Sequence, residues 1–301
     1  MSYFIFSASL LLIYIGLAQL LHIQFGLLGI PNFGIVGFWG AGMYSVGVLN
    51  VQFNIPFFFS IIFSGIVLFG LSYGLGLLIL RLKGQAMLCA TLAFSAIVAL
   101  LVTTEKWLTE GVVGLGTIKY PLDLGVATEL IFFLMLLGLV VLFQRAINKL
   151  HRSRLGRLMV AIRDNEELAA SLGKETFKTK LQLFAITCTF MGLLGGLSAP
   201  LNQFLTPNML VPGVTFAVWI ALILGGKEHA LGATIGVFIT FGLFDILIET
   251  YLPVSPEYAV MVPNFKLFLY GGVLIAVLMF RPRGLMTKDT SLEQLTQRQK
   301  T

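Results

Sequence analysis

The sequence predicts an all-α, polytopic transmembrane helix bundle of about eight to ten spans or partial spans, some of them discontinuous. Three observations predict it. Of the 301 residues, 57% are hydrophobic and 11% charged, where a soluble domain is about 25% charged. The apolar residues gather into blocks close to the roughly 20 residues a helix needs to cross a bilayer. The charges lie between the blocks, with Lys and Arg massed in a few loops.

Apolar blocks fall at about 2–21, 35–49, 56–80, 86–103, 127–144, 181–199, 213–225, 230–250 and 265–280. Helices and closed barrels alone satisfy backbone polar groups in lipid, and these blocks are too long for barrel strands. The first block has no basic stretch before it and no small-residue cleavage site, so it reads as a retained span rather than a removable signal peptide. The next element, FGLLGIPNFGIVGFWGAGMY (Phe25 to Tyr44), is broken by Pro31 and repeated glycines. It reads as discontinuous or re-entrant, which leaves the side of Met1 open. The block 213–225 is shorter than a normal span and follows Pro200, Pro207 and Pro212; short, Gly/Pro-interrupted segments mark where unwound backbone lines a path. Glycine pairs such as Gly192 with Gly196 and Gly70 with Gly74 have a plainer use, close helix approach, and we prefer it for the Gly192 pair. Cys89 and Cys188 sit inside apolar blocks and read as small packing side chains. The chain thus divides into one transmembrane domain, 1–280, carrying a charged insert at 145–180, and a tail, 281–301.

The formal charge of +6 would suit a nucleic-acid partner only if the basic residues shared one face of a soluble fold, and they do not. Segment 145–180 holds nine Lys and Arg, the tail five and the Arg81–Lys83 turn two, sixteen of the twenty in all. Loops rich in Lys and Arg stay cytoplasmic, so these segments, the GGKEH turn (Gly225 to His229) and the C-terminus are assigned to the cytoplasm. Loops 104–126 and 251–264 carry few basic residues and belong outside.

Several chemistries are missing. Gly225-Gly226-Lys227 is followed by Glu228 and lacks the earlier glycine of a nucleotide-binding Walker loop. GVVGLG (Gly111 to Gly116) has no strand–helix unit around it and is no dinucleotide fingerprint. His22, His151 and His229 are scattered along the chain without partners at metal-ligand spacing. Glu129, Asp245, Glu249 and Lys266 are the ionisable residues closest to the helices, and intramembrane charge is a functional hypothesis. Asp245 and Glu249 share a helix face; their position near the outer end favours a vestibule or structural role over direct ligation.

Within the insert, Leu158, Ile162, Ala169 and Leu172 recur at near-helical spacing, with Arg163, Asp164, Glu166 and Glu167 between them and Gly173 as a C-terminal stop. Such a helix can lie on headgroups or dock in a groove of a partner; Asp164, Glu166, Glu167 and Glu175 argue against adhesion to an anionic membrane. The stretch SRLGRLMVAIRDNEELAASLGKETFKTKLQLFAITCTFMGLLGGLSA (Ser153 to Ala199) resembles the signature region of the permease subunits of branched-chain amino acid ATP-binding-cassette (ABC) transporters. Gly156, Arg157, Ala161, Ile162, Arg163, Asn165, Glu166, Ala169, Ala170, Leu172 and Gly173 carry the resemblance. LRLKGQAMLCATLAFSAIV (Leu80 to Val98), LTEGVVGLGTI (Leu108 to Ile118) and the Gly-rich element resemble further parts of the family, in order. This chain departs from the family at Ile35, where His is common, at Glu110, where Gly is common, and in the added Pro31.

The resemblance implies that the insert is the coupling element, seated in a cleft of a separate ATPase. Leu158, Ile162 and Leu172 are expected to anchor it there, while Arg157, Arg163 and Glu166 set its register. It also implies a second permease, similar or identical, a pair of ATPase subunits that hold ATP and Mg, and a periplasmic binding protein docking on 104–126, 200–212 and 251–264. The chain itself needs no cofactor or metal and is a transport subunit rather than an enzyme, placed in a bacterial inner membrane. Branched-chain amino acids lead as substrate; related permeases move urea, short amides, other amino acids or nucleosides. For a zwitterion, Asn32 and Thr91 offer polar contacts and Phe33, Phe38 and Phe94 an apolar wall, although each also fits ordinary packing. An ion-coupled carrier, a passive channel and a membrane-embedded enzyme are the rivals. A carrier would bury charge at the midplane, and an enzyme would need a catalytic cluster.

Overall fold

A computed structural model describes residues 2–82, 84–116, 118 and 126–245, with isolated positions at 268, 271, 272, 275, 279 and 284–286. Within these the chain is helical: α1 (Ser2–Leu21), α2 (Ile35–Val51), α3 (Phe57–Ile79), α4 (Gln85–Thr104), the short α5 (Lys106–Thr109), α6 (Val126–Arg152), α7 (Arg154–Asp164), α8 (Glu166–Ser171), α9 (Thr176–Asn202), α10 (Pro212–Gly225) and α11 (Gly232–Val237). Wider π-helical turns extend α1 over His22–Leu27 and α11 over Phe238–Asp245. Among the described residues six helices are long and apolar enough to cross a membrane, and Ile35–Val51 and Gly232–Gly242 are shorter apolar helices. Those eight elements match the lower end of the expected span count. The block 265–280, apart from isolated positions, lies outside the described residues, as does loop 251–264.

The centre of the bundle is α2 against α9. Lipid supplies no hydrophobic drive between helices, so close backbone approach must hold them together. A Cβ on Gly42 would collide with the carbonyl of Gly192, and one on Gly195 with the carbonyl of Trp39. Gly192 and Gly196 therefore serve packing, as expected. Gly70 and Gly74 do not: nothing lies near either position, because α3 turns them to the outside. Instead α3 buries Ser60, Ser64, Leu68, Ser72 and Gly76, one residue per turn, against α9. Its opposite face, with Phe59, Ile62, Phe63 and Ile66, is exposed, as lipid contact requires.

Hydrogen bonds fix which loops share an end. α3 ends beside the start of α9, where Gly76 meets Leu181, so the Arg81 turn and the charged insert lie together. Leu285 and Met286 donate their backbone N–H groups to the carbonyls of Leu224 and Gly225, bringing 225–229 and the start of the tail to the α10 end. At that same end, Arg163 of the insert bonds Gly26. The described parts of the segments assigned to the cytoplasm thus occupy one basic end. At the opposite end Leu115 pairs with Leu205, and Gln52 Nε2 reaches the carbonyl of Leu108 at 2.6 Å. The direction of α1, open from sequence, follows: it runs parallel to α6, with Gln19 on Gln144 and His22 on His151, so Ser2 starts at the non-basic end.

Candidate functional site

The discontinuous element is a helix break inside the bundle. The chain reaches the basic end through the π-helical turn, reverses over 28–34, and re-enters as α2. At 17 residues α2 spans only about 26 Å, less than a bilayer core. A buried break exposes N–H groups that lipid cannot satisfy, and here neighbouring side chains satisfy them. Phe33 N donates to Thr91 Oγ1 at 3.0 Å, Gly34 N to Asn32 Oδ1 at 2.7 Å, Val36 N to Thr215 Oγ1 at 3.2 Å and Gly37 N to Ser95 Oγ at 3.1 Å. Asn32 also donates to Gln24 Oε1 at 2.9 Å, Gln24 donates to Thr187 Oγ1 at 2.6 Å, and Trp219 Nε1 donates to the Asn32 carbonyl at 2.9 Å. Thr187 stands seven residues beyond Lys180 on α9, about 10 Å into the bundle. The knot is therefore deep.

Aromatic rings flank it. Phe33 stacks on Trp219 with centroids 4.8 Å apart, Phe25 meets Trp219 from another side, and Phe38 packs on Phe94 and Phe184. Of the residues expected on a substrate path, Asn32, Phe33, Phe38, Thr91 and Phe94 thus come together. Asn32, Thr91 and Phe38 are completely buried. The side chain of Asp245 and the whole of Glu249 lie outside the described residues. Farther along α2, Trp39 Nε1 and Tyr44 Oη are buried with no hydrogen-bond partner among the described residues.

The insert folds as two helices rather than one. Ser153 caps α7, its Oγ accepting from Gly156 N at 3.0 Å; Asn165, at φ −155°, ends α7 and caps α8, accepting from Leu168 N at 2.9 Å. Asn165 therefore acts as a hinge-forming cap, with Glu166 and Glu167 favourably placed at the start of α8. Gly173, at φ +76°, makes the left-handed stop anticipated for it. Gly156 is buried with no room for a side chain against the Leu150 carbonyl.

The faces of the insert differ from expectation. Ile162 and Ala169 are buried, with Met159, against the chain's own bundle, and Leu158 is half-buried on the same core. Arg163 also points inward: its Nη1 donates to the Gly26 carbonyl at 2.5 Å, its aliphatic stem packs on Gly29, and Nε bonds Asp164 at 3.1 Å. Amphipathic spacing marks an apolar stripe but not what covers it, and here the bundle covers most of it. The outward residues include Arg157, Ala161, Asn165, Glu166, Leu168, Leu172 and Gly173, with Glu166 held to Lys180 at 2.5 Å. The three histidines are likewise not scattered in space: His22 and His151 meet at 3.0 Å, with His229 nearby. Among the described residues no group of three or more His, Cys, Asp and Glu could hold a metal, and both cysteines are free.

Sequence reasoning did not single out Gln24, Ser95, Thr187, Thr215 or Trp219. Gln24 did carry a signal, an amide in an apolar run between His22 and Asn32; the hydroxyls, common in transmembrane helices, did not.

Comparison with known proteins identifies what the deep helix break and the charged insert belong to. The family profile described as branched-chain amino acid transport system / permease component matches residues 3–278. The chain belongs to this family. It is 29% identical over 304 residues to the high-affinity branched-chain amino acid transport system permease protein LivM of Salmonella typhimurium, covering 93% of this chain and 69% of that one. The LivM protein of Escherichia coli matches at the same identity and coverage. The probable LivM permease of Methanocaldococcus jannaschii is 23% identical over 333 residues, covering 92% of each chain. No solved structure matches significantly. The permease is accordingly a multi-pass membrane protein and a transport subunit.

Proposed function

We propose that this permease moves branched-chain amino acids inward across a bacterial inner membrane as one subunit of an ABC importer. A second permease, ATPase subunits and a periplasmic binding protein complete the assembly. ATP and Mg would be held by the ATPase alone, and this chain performs no hydrolysis. The basic end faces the cytoplasm under the positive-inside rule, which assigns the C-terminus there as well; Leu115 and Ile118, paired with Leu205 and Gln203, face the binding protein.

The observation that carries the proposal is the link from insert to break. The outward edge of α7–α8, with Arg157, Leu168 and Leu172, is free to meet an ATPase. The inward edge holds Gly26 and Gly29 through Arg163, at the start of the break. Closure of the ATPase pair would displace α7, and α7 cannot move without pulling on the turn that positions Gln24 and Asn32. A ligand or nucleotide shifts the balance of two conformations only by contacts that differ between them, and this contact is one that can differ.

Opening the break would free the N–H groups of Phe33, Gly34, Val36 and Gly37 from their hydroxyl partners. A helix N-terminus then favours a carboxylate, while Phe33, Phe216 and Trp219 offer a wall to a branched side chain. Onward along α2, Trp39 Nε1 and Tyr44 Oη could donate to the passing zwitterion. A buried unmade hydrogen bond costs about 1–3 kcal/mol, so a partner in a second conformation gives these groups a use.

The test is reconstitution in liposomes with the co-purifying ATPase and the binding protein. Leucine, isoleucine and valine uptake that requires ATP supports the proposal. Uptake driven by an ion gradient without ATPase would replace it with a carrier; ATP-driven uptake of urea or amides instead would keep the assembly and change the substrate.

A further inference from the structure

We propose that the cavity between the end of α6 and the turn at 226–231 seats the phosphate headgroup of an anionic phospholipid, with the acyl chains along the exposed face of α6. This site is separate from the break and depends only on the chain's lying in a bilayer. The cavity has a volume of about 830 Å3 and is lined by Asn148, Lys149, Arg152 and Ser153 on one side and by Glu228 and His229 on the other. On the bundle side it is closed where Gln144 Nε2 bonds the Ala230 carbonyl at 2.9 Å and where His22 meets His151.

Two features point to an anion. Lys149 and Arg152 form no ion pair among the described residues. Among the described residues Glu228 is the single carboxylate in the lining, against two permanent cations and the imidazoles of His151 and His229. The volume exceeds what a small inorganic ion fills and lies in the range of organic ligand sites, about 300–1,000 Å3.

A third feature points to a lipid. Leu130, Leu134, Leu137 and Val141 are 48%, 54%, 38% and 41% exposed and form one stripe at helical spacing. Continued at the same spacing, that stripe becomes Arg145, Asn148 and Arg152, all exposed, the last two in the cavity wall. From Leu130 to Val141 the stripe rises about 16 Å, close to half of a bilayer core of about 30 Å. An apolar track one leaflet long that ends in unpaired cations matches an acidic phospholipid from headgroup to tail. Basic pockets between helices at the cytoplasmic surface are built for such headgroups.

The test is native mass spectrometry of the full purified chain after exchange into a mixture of phosphatidylglycerol and phosphatidylcholine. Phosphatidylglycerol should be retained in preference. The double substitution Lys149→Gln, Arg152→Gln should cut that retention roughly tenfold or more, as two surface cations would predict, whereas Lys178→Gln, removing a cation paired to Glu175 elsewhere, should leave it unchanged. Matching thermal unfolding of both variants in phosphatidylcholine keeps misfolding out of the comparison. Equal retention of the two lipids, or retention indifferent to the double substitution, overturns the site. Displacement of the lipid by millimolar inorganic phosphate would overturn the lipid in favour of a free anion. A second copy of the chain held in place of lipid, and lost with the same substitutions, would overturn it in favour of a protein interface.

Discussion

Substitution of Arg163 by Ala should uncouple ATP hydrolysis from transport while leaving the ATPase bound. The side chain is 25% exposed, and its Nη1 donates to the Gly26 carbonyl at 2.5 Å. A hydrogen bond to a charged group contributes about 1.5–3 kcal/mol; partial exposure screens this one, leaving roughly 1.5 kcal/mol. If the bond exists in one of the two transport conformations, its loss shifts their balance by about tenfold. The assay measures ATP hydrolysed and leucine accumulated in the same proteoliposomes, containing the ATPase and the binding protein. Uptake per ATP should fall by about an order of magnitude, with hydrolysis retained. Arg163→Lys, which keeps the charge and one donor, should recover part of the loss. Arg157→Ala, on the outward edge, should weaken ATPase co-purification and spare the uptake per ATP of the complexes that form. Unchanged uptake per ATP in Arg163→Ala would refute the reasoning, since α7 would then act on the bundle by another route.

Three further substitutions probe the bundle. Gly42→Ala forces a methyl into the Gly192 carbonyl and should destabilise by about 1–3 kcal/mol or more, read as an earlier thermal transition in detergent; an unshifted transition would mean α2 and α9 do not pack at this point. Tyr44→Phe removes a buried hydroxyl without a described partner; stability should rise by about 1 kcal/mol while leucine uptake falls, and uptake at the parental rate would remove Tyr44 from the path. Glu110 adopts a left-handed backbone at φ +59°, a conformation that costs a non-glycine residue about 1 kcal/mol. Glu110→Gly should raise the melting temperature, and a lower one would show that the Glu side chain is holding the loop.

The last of these shows what the sequence could tell. Glu110 stood out against a family glycine, and the left-handed backbone supplies the reason for that glycine. Pro31 and its neighbouring glycines announced a broken element, and the basic loops announced which segments share an end; both are properties of short stretches or of total charge. The residues that close the break are different. Ser95, Thr187 and Thr215 lie on three other helices, and a hydroxyl that satisfies a foreign N–H looks in sequence like one bonded to its own preceding turn, as Thr189 is to Ala185. The direction of Arg163 was hidden for a related reason. An arginine in an amphipathic helix reads as solvent-facing, and only the arrival of Gly26 and Gly29 from a segment more than 130 residues away gives it something to bond inside. The insert's hinge at Asn165 was missed because the apolar spacing runs through it unbroken.

The claim that joins these parts is that the insert has two faces, one for the ATPase and one for the break. A photo-crosslinking side chain placed at Leu172, 71% exposed, or at Ile162, 2% exposed, in the assembled transporter tests it directly. The account predicts crosslinks to the ATPase from Leu172 and crosslinks confined to the permease itself from Ile162. ATPase crosslinks absent at Leu172 but present at Val112, at the opposite end of the bundle, would contradict it.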